Sequence, residues 1–293
     1  MRYIHKPKGD LPLAFTNWLT SNKKKIEDNI ADENVKGAEL WAFFRDDGNA
    51  AYDALKNHLV KEQGYICCYC GQRIENDNNT AIEHLQPKSS FKLKIFDYNN
   101  LIASCRGGSS DKIHLVQKGE TLLSIAEKYG VDVEHIMEVY VNTDEMKMFR
   151  KKHDLENLAV NDRIVIIPSV DKKSQHCDIN KGKEVIDIHP LQKNCADQFN
   201  FNNSNGKIIS TNKNEKTLGI LGLNNNRYIN QLRKKTIDSA FQIKESLIID
   251  FDHSKELFNE NLQQIIKNLD SVNRTPNSKL EPFVFVKTWS LQN

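Results

Sequence analysis

Residues that could do chemistry gather in four short stretches. Cys67-x-x-Cys70 comes first, then Glu83-His84, then Asn100-Leu101 running on to Cys105, and last Cys177-Asp178-Ile179-Asn180-Lys181-Gly182-Lys183. A Cys-x-x-Cys turn presents two thiolates about 3.5 Å apart, close enough to share one tetrahedral zinc at ~2.3 Å per sulfur. With Cys105 and Cys177 as a second pair the coordination shell closes, and such a zinc is structural. A redox dithiol has the same spacing but is expected beside a βαβ unit, which this stretch lacks. Cys68 and Cys195 read as small buried hydrophobes, and His176 rivals Cys177 for the last zinc position. His58, His114, His135, His153, His189 and His253 show no ligand spacing.

The elements that must position these groups are mostly helical. From Pro12 to about Gly64 apolar residues recur at helical spacing: Ala14, Phe15, Trp18 and Leu19, then Trp41, Phe43 and Phe44, then Tyr52, Leu55, Leu59 and Val60. Tyr65 to Gly71 reads as a strand and turn, and Ile82 to Leu85 as a second short extended piece. Asp97 to Asn100 is a turn leading into the apolar run that ends at Cys105. Phe199, Phe201 and Ile208-Ile209 suggest a hairpin about Asn205-Gly206. Arg227 to Asp250 predicts a long amphipathic helix with Ile229, Leu232, Ile237, Phe241 and Ile248 on its apolar side. Its Arg227, Arg233, Lys234 and Lys235 read as a solvated face, with a DNA-backbone track as the rival. A further helix is expected from about Ser254 to Leu269, and an edge strand at Phe283 to Val286.

Composition bounds the class. At ~150 residues per domain, 293 residues suggest two domains. Hydrophobic residues make up 39% and charged residues 27%, with a mean hydropathy of −0.60. No run approaches the ~18 apolar residues of a transmembrane helix, and the first residues lack the apolar core of a secretory signal, so a cytoplasmic protein is expected. Six cysteines are too few for a disulfide-built scaffold, and a reducing compartment leaves them free for metal. Net charge is only +2, but it is unevenly spread. Between Asp111 and Val170 eight basic residues face eleven acidic ones, a net of −3, leaving +5 on the rest. That basicity permits phosphate contact without demonstrating it.

The acidic block follows a flexible linker, Arg106-Gly107-Gly108-Ser109-Ser110. From Ile113 to Pro168 it closely resembles a LysM domain, on Val116-Gln117-Lys118-Gly119-Glu120-Thr121-Leu122, Ser124-Ile125-Ala126-Glu127-Lys128-Tyr129-Gly130-Val131, Ile136, Asn142 and Ile164-Val165-Ile166-Ile167-Pro168. It departs from that family at Val160-Asn161-Asp162, where a glycine usually follows the valine, and in a longer stretch around Lys147 to Asn157. The resemblance implies a β-α-α-β module, and such domains generally bind N-acetylglucosamine polymers. Its first and last strands are expected to pair, so its ends lie together and it can replace a short loop of its host.

With the block set aside, the remaining motifs resemble the HNH (ββα-metal) nucleases of the four-cysteine type, and particularly the HNH proteins of Septu-type antiphage systems and retron-associated operons. The residues that carry this are Cys67-Cys68-Tyr69-Cys70-Gly71, Ile82-Glu83-His84-Leu85-Gln86-Pro87-Lys88, Tyr98 to Cys105, and His176-Cys177-Asp178-Ile179-Asn180-Lys181-Gly182. The resemblance implies a structural Zn²⁺ on Cys67, Cys70, Cys105 and Cys177. It implies His84 as general base, with Asn100 orienting its ring, and Glu83 with Asp178 or Asn180 holding one catalytic Mg²⁺ or Mn²⁺. Asp178 stands where the family usually has Asn or His. Lys88, Lys181 and Lys183 are the expected DNA phosphate contacts.

The expected fold is therefore α+β: a helical scaffold around a zinc-stabilised ββα-metal core, discontinuous over residues 1–108 and 174–293, with the LysM-like insert at 111–170. The function that follows is a metal-dependent endonuclease acting on DNA, with an antiviral role and an SMC-like ATPase partner implied by the resemblance alone. A non-catalytic zinc-stabilised binding protein, using the insert to recognise glycan, is the rival.

Overall fold

Four helices fill the N-terminal region, each short and each burying one aromatic or aliphatic stripe. They are α1 (Leu13–Ser21), α2 (Lys23–Ala31), α3 (Gly37–Asp47) and α4 (Asn49–Glu62). At the start of α3 the Glu39 carboxylate accepts the Lys36 backbone N–H at 3.1 Å, which satisfies one of the donors a helix leaves open there. Phe15, Leu40, Phe44, Leu55, Leu59 and Val60 are almost wholly buried where these helices meet. The computed structural model describes residues 1–6, 11–77, 79–107, 112–129, 136–142, 147–152, 163–166, 174–251, 254–271 and 279–293.

The helices cover a small antiparallel sheet. β1 (Thr80–His84) pairs with β2 (Leu101–Cys105), with His84 opposite Leu101 and Thr80 opposite Cys105. Every β2 residue is buried. The connection between the strands carries two 3₁₀ turns, Lys92–Lys94 and Tyr98–Asn100. After the insert comes α6 (Cys177–Lys181), so strand, strand and helix follow one another in the host with the insert between the second and third.

The insert begins with β3 (Lys112–Leu115) and α5 (Leu122–Tyr129) and ends with β6 (Arg163–Ile166). As expected, β3 and β6 lie side by side, with Lys112 opposite Ile166. The expected second helix is corrected: Ile136–Asn142 is a strand, β4, and Lys147–Lys152 another, β5, in a four-stranded sheet of order β3-β6-β4-β5. Ile-Met-Glu-Val-Tyr-Val is rich in branched and aromatic residues, which favour a pleated surface over a helix. The host closes the neck of the insert with a hydrogen bond from His176 N–H to the Gly107 carbonyl at 3.2 Å. Gly107 has φ +70°, and a Cβ there would stand 1.5 Å from the His176 oxygen, so only glycine fits.

The C-terminal part is helical: α7 (Glu215–Leu221), α8 (Arg227–Asp250), α9 (Lys255–Ser271) and α10 (Val284–Gln292). A short bridge between Phe201 and Ile208 closes the expected hairpin. Ile229 and Ile237 are buried on α8, but Ile248 is 53% exposed, because the end of that helix packs Ile243 and Leu247 into a cluster with α9 and leaves Ile248 outside it. The edge strand expected at Phe283 to Val286 is instead the start of α10. Its Val284, Val286 and Leu291 bury against α8, α9 and the Cys-x-x-Cys turn, so tertiary packing overrides a β-branched local pattern. Among the described residues no helix is long and apolar enough to cross a membrane.

Candidate metal and catalytic centre

The cysteines converge from three segments. Cys67 and Cys70 sit on the turn after α4, Cys105 ends β2, and Cys177 opens α6. Their sulfurs all lie within 4.8 Å of one another, and Cys67–Cys177 and Cys70–Cys105 are each 3.8 Å apart. A tetrahedron with metal–sulfur bonds of ~2.3 Å has edges of about 3.8 Å, whereas a disulfide needs ~2.05 Å. The four thiols therefore fit a tetrahedral ion such as Zn²⁺ and are not paired covalently. Burial opposes ionisation of Cys70, yet hydrogen bonding with the Cys105 and Cys177 thiols holds it below the usual thiol range, at about 6.

Three neighbours serve this cluster. Cys105 N–H points at the Cys67 sulfur at 3.3 Å, and His176 Nε2 lies 3.7 Å from the Cys105 sulfur. His176 thus flanks the cluster while Cys177 takes the fourth corner. Arg233 is fully buried beside it, donating to the Leu223 carbonyl at 2.7 Å and to Asn230 Oδ1 at 3.0 Å. Burial lowers its pKa to about 10, against the opposing pull of Cys70 and Cys177. Neither the solvated face nor the DNA track expected for Arg233 holds. A zinc with four thiolates carries a net −2, and a buried guanidinium is a fitting counter-charge. A lone sequence offers no way to tell this arginine from its exposed neighbour Lys235.

Beside the cluster, β1 ends in Glu83 and His84, both about 95% buried. His84 Nε2 is 3.0 Å from the Ile95 carbonyl. A carbonyl can only accept, so Nε2 carries the hydrogen and Nδ1 keeps its lone pair. Nδ1 faces the Lys88 ammonium at 3.4 Å, and the Trp41 ring stands edge-on at 4.4 Å between centroids, fixing the imidazole plane. Burial first, then the positive charges of Lys88 and Lys181, hold the His84 pKa well below its usual value, so the ring is neutral at pH 7. Glu83 is pushed up to about 8, by burial and by the adjoining Asp178 carboxylate, against the pull of Lys181. A buried carboxylate in contact with a partly buried one favours a shared cation.

Asn100 does not orient His84 directly. Its Oδ1 accepts the Gln86 N–H at 2.7 Å, and its Nδ2 donates to the carbonyls of Lys94 and Gln86 at 2.8 and 3.1 Å. It pins both ends of the loop whose Ile95 carbonyl holds the imidazole. The Asn180 amide nitrogen donates to the Gly219 and Ile220 carbonyls at the end of α7, bonds that leave its Oδ1 unused. Asp178 is the residue that meets Glu83. Lys181 is corrected as a phosphate contact. It is 1% exposed, and its ammonium donates to Glu83 Oε1 at 2.7 Å and to the His84 carbonyl at 2.9 Å. Lys88 is half-buried at the mouth of the centre and Lys183 is exposed. Sequence reasoning missed Trp41, the Ile95 carbonyl and Tyr69, whose hydroxyl donates to Glu83 Oε1 at 3.2 Å. Tyr69 alone had a signal, its place inside the Cys-x-x-Cys turn.

Comparison with known proteins supports two parts of this picture. Residues 114–139 match the LysM domain family model. Over 89 residues the chain is 30% identical to the retron Ec83 putative HNH endonuclease of Escherichia coli. That match takes in 28% of this chain and 34% of the other, so it spans about a third of the relative's length. The chain thus combines a LysM domain, a buried cluster of four cysteines that could hold a metal ion and a partial likeness to an HNH endonuclease.

Proposed function

We propose that the chain is an HNH-type endonuclease that hydrolyses DNA phosphodiester bonds around Glu83, His84 and Asp178. The observation that carries this reading is the state of His84. Its Nε2–H is committed to the Ile95 carbonyl, and its Nδ1 lone pair faces the Lys88 ammonium in a buried, cationic setting next in sequence to Glu83. Nδ1 takes a proton from the attacking water, and the Ile95 carbonyl stabilises the imidazolium that forms. Glu83 and Asp178 would hold a Mg²⁺ or Mn²⁺ ion, both being hard oxygen donors, with water and phosphate oxygens at its remaining positions. When bound, such an ion supplies positive charge to the phosphate as the leaving oxygen departs. Lys88, at the mouth of the centre, is placed for a phosphate oxygen. The zinc holds β2, α6 and the Cys-x-x-Cys turn in one register and takes no part in the reaction.

The test is nicking of supercoiled plasmid with Mg²⁺ and Mn²⁺, comparing wild type with His84→Ala and measuring zinc in both. Metal-dependent nicking that the variant lacks at equal zinc is the expected result. Equal cutting by both proteins would overturn the assignment. By its resemblance to Septu-type and retron-associated HNH proteins, the chain would act in antiphage defence with an SMC-like ATPase, in the cytoplasm. Co-purification with the neighbouring gene's ATPase, and its effect on nicking, tests that. The LysM match favours one second reading, a binding protein whose insert recognises N-acetylglucosamine-containing glycan. Retention on peptidoglycan or chitin by a chain that never nicks DNA would support it.

A further inference from the structure

Lys181 is the group in this centre that phosphodiester hydrolysis does not require. It is among the most deeply buried side chains of the molecule, and lysine is almost never buried without a partner. Its partners are specific: Glu83 Oε1 at 2.7 Å and the carbonyl of His84 at 2.9 Å. Glu83 Oε1 also accepts the Tyr69 hydroxyl, so this oxygen already has two donors. Lys181 stands one turn from Cys177 and Asp178 on α6, so the segment that supplies a zinc ligand and the second carboxylate also supplies the ammonium.

We propose that Lys181 is the resident cation of the Glu83–Asp178 pair, and that a divalent ion loads by exchange against it. The inference rests on the reading of those two carboxylates as the metal ligands. With no ion bound, the ammonium offsets the charge that the carboxylate pair carries and keeps Glu83 in place. A divalent ion adds two positive charges beside an ammonium that burial prevents from retreating into water. Loading onto the free protein is therefore weak. The negative phosphate of a bound DNA strand tips the balance, so metal and DNA each raise the affinity of the other, as linkage requires. The centre is then held off by its own lysine until substrate arrives.

The test is Mn²⁺ affinity, read by electron paramagnetic resonance on the zinc-loaded full chain. Wild type, Lys181→Met, Lys181→Arg and Glu83→Gln are compared, with and without a cleavage-resistant phosphorothioate duplex. Lys181→Met should bind Mn²⁺ at least about tenfold tighter than wild type without DNA, and should lose most of the gain that DNA gives. Lys181→Arg, which keeps the charge, should stay near wild type, and Glu83→Gln should lose binding. If Lys181→Met binds no tighter while Glu83→Gln still loses binding, Lys181 merely positions Glu83 and the proposal fails. If Glu83→Gln binds as wild type does, the carboxylates are not the ligands and the underlying reading fails with it. Should Lys181→Met fail to retain zinc, the wild-type Lys181 ¹⁵Nζ resonance decides, assigned by its absence in Lys181→Arg. It should shift on Mg²⁺ saturation in the presence of DNA, and an unchanged resonance overturns the exchange.

Discussion

At the residue scale the centre is defined by which polar atoms are already engaged. Asn100, itself buried, satisfies one N–H and two carbonyls of the loop after β1, on the partly buried Gln86 and the exposed Lys94. Asn100→Ala takes a partner from both Gln86 groups, while the Lys94 carbonyl keeps the Asp97 N–H, and is expected to destabilise the host by about 1–2 kcal/mol, since an orphaned buried polar group costs ~1–3 kcal/mol. It should also slow nicking with little change in DNA affinity, because it loosens the Ile95 carbonyl rather than a phosphate contact. Urea unfolding and single-turnover nicking check both halves, and an unchanged rate would remove Asn100 from any positioning role. Arg233→Met leaves the Leu223 carbonyl and the cysteine cluster without their cation. A loss of about 3 kcal/mol is expected, the size measured when one partner of a buried charged pair is removed, together with faster zinc release to a chelator. The family resemblance singled out Asn100, but the sequence could not say what its amide meets: an asparagine before a strand looks the same whether its partner is a ring or a backbone.

At the element scale, turns and short helices decide geometry. Gly71 closes the Cys-x-x-Cys turn at φ +82°, and a Cβ there would lie 2.2 Å from the Phe285 ring of α10. Gly71→Ala should lower stability by about 2 kcal/mol or more, combining a left-handed backbone with a clash, and should be partly rescued by Phe285→Leu. Thermal unfolding of the single and double variants, with zinc content, is the measurement; no rescue would mean that the turn's backbone alone sets the cost. In the insert, Glu120 accepts the Gln117 N–H and pairs with His114 and Lys128, which holds its carboxyl down at about 2. The folded value lies below the unfolded one near 4.5, so its contribution is intact above about pH 4.5 and is lost as pH falls toward 2. Hydrogen exchange over residues 112–129 should therefore quicken across that window in wild type and stay flat in Glu120→Gln. The helices α1 to α4, α8 and α9 were legible because their apolar stripes repeat over several turns. The segments β4 and α10 were not, since a short branched apolar run is compatible with either state until its neighbours decide.

At the scale of the whole molecule, the four clustered cysteines straddle the insert. Cys105 lies before it and Cys177 after it, and the Gly107–His176 hydrogen bond brings the two chain ends together. Replacing residues 108–173 with a short Gly-Ser linker should leave zinc content unchanged and shift the host's unfolding temperature by only a few degrees, because loop closure depends weakly on length. Loss of zinc in that variant would show that the insert helps hold α6. Stripping the metal with a chelator should instead unfold the centre around β1, β2 and α6 while exchange protection in the insert persists, since no thiol of the cluster lies within it.

What the sequence determined by itself was chemistry and period. Residue types and spacing picked out the Cys-x-x-Cys turn and the long helices, and resemblance to known families added Cys105, Cys177, the Glu83-His84 pair and the inserted block, because a metal site needs particular donors and a helix needs a repeating stripe. Only the tertiary structure decided which polar groups were spent on holding the fold. It turned Asn180 to the end of α7, sank Arg233 beside the cysteines and Lys181 onto Glu83, and gave the imidazole to a backbone carbonyl. The physical reason is that burial and hydrogen-bond partnership are properties of neighbours distant in the chain. Lys181 and Lys183 are two residues apart and alike on paper, and one faces solvent while the other neutralises a carboxylate in the core.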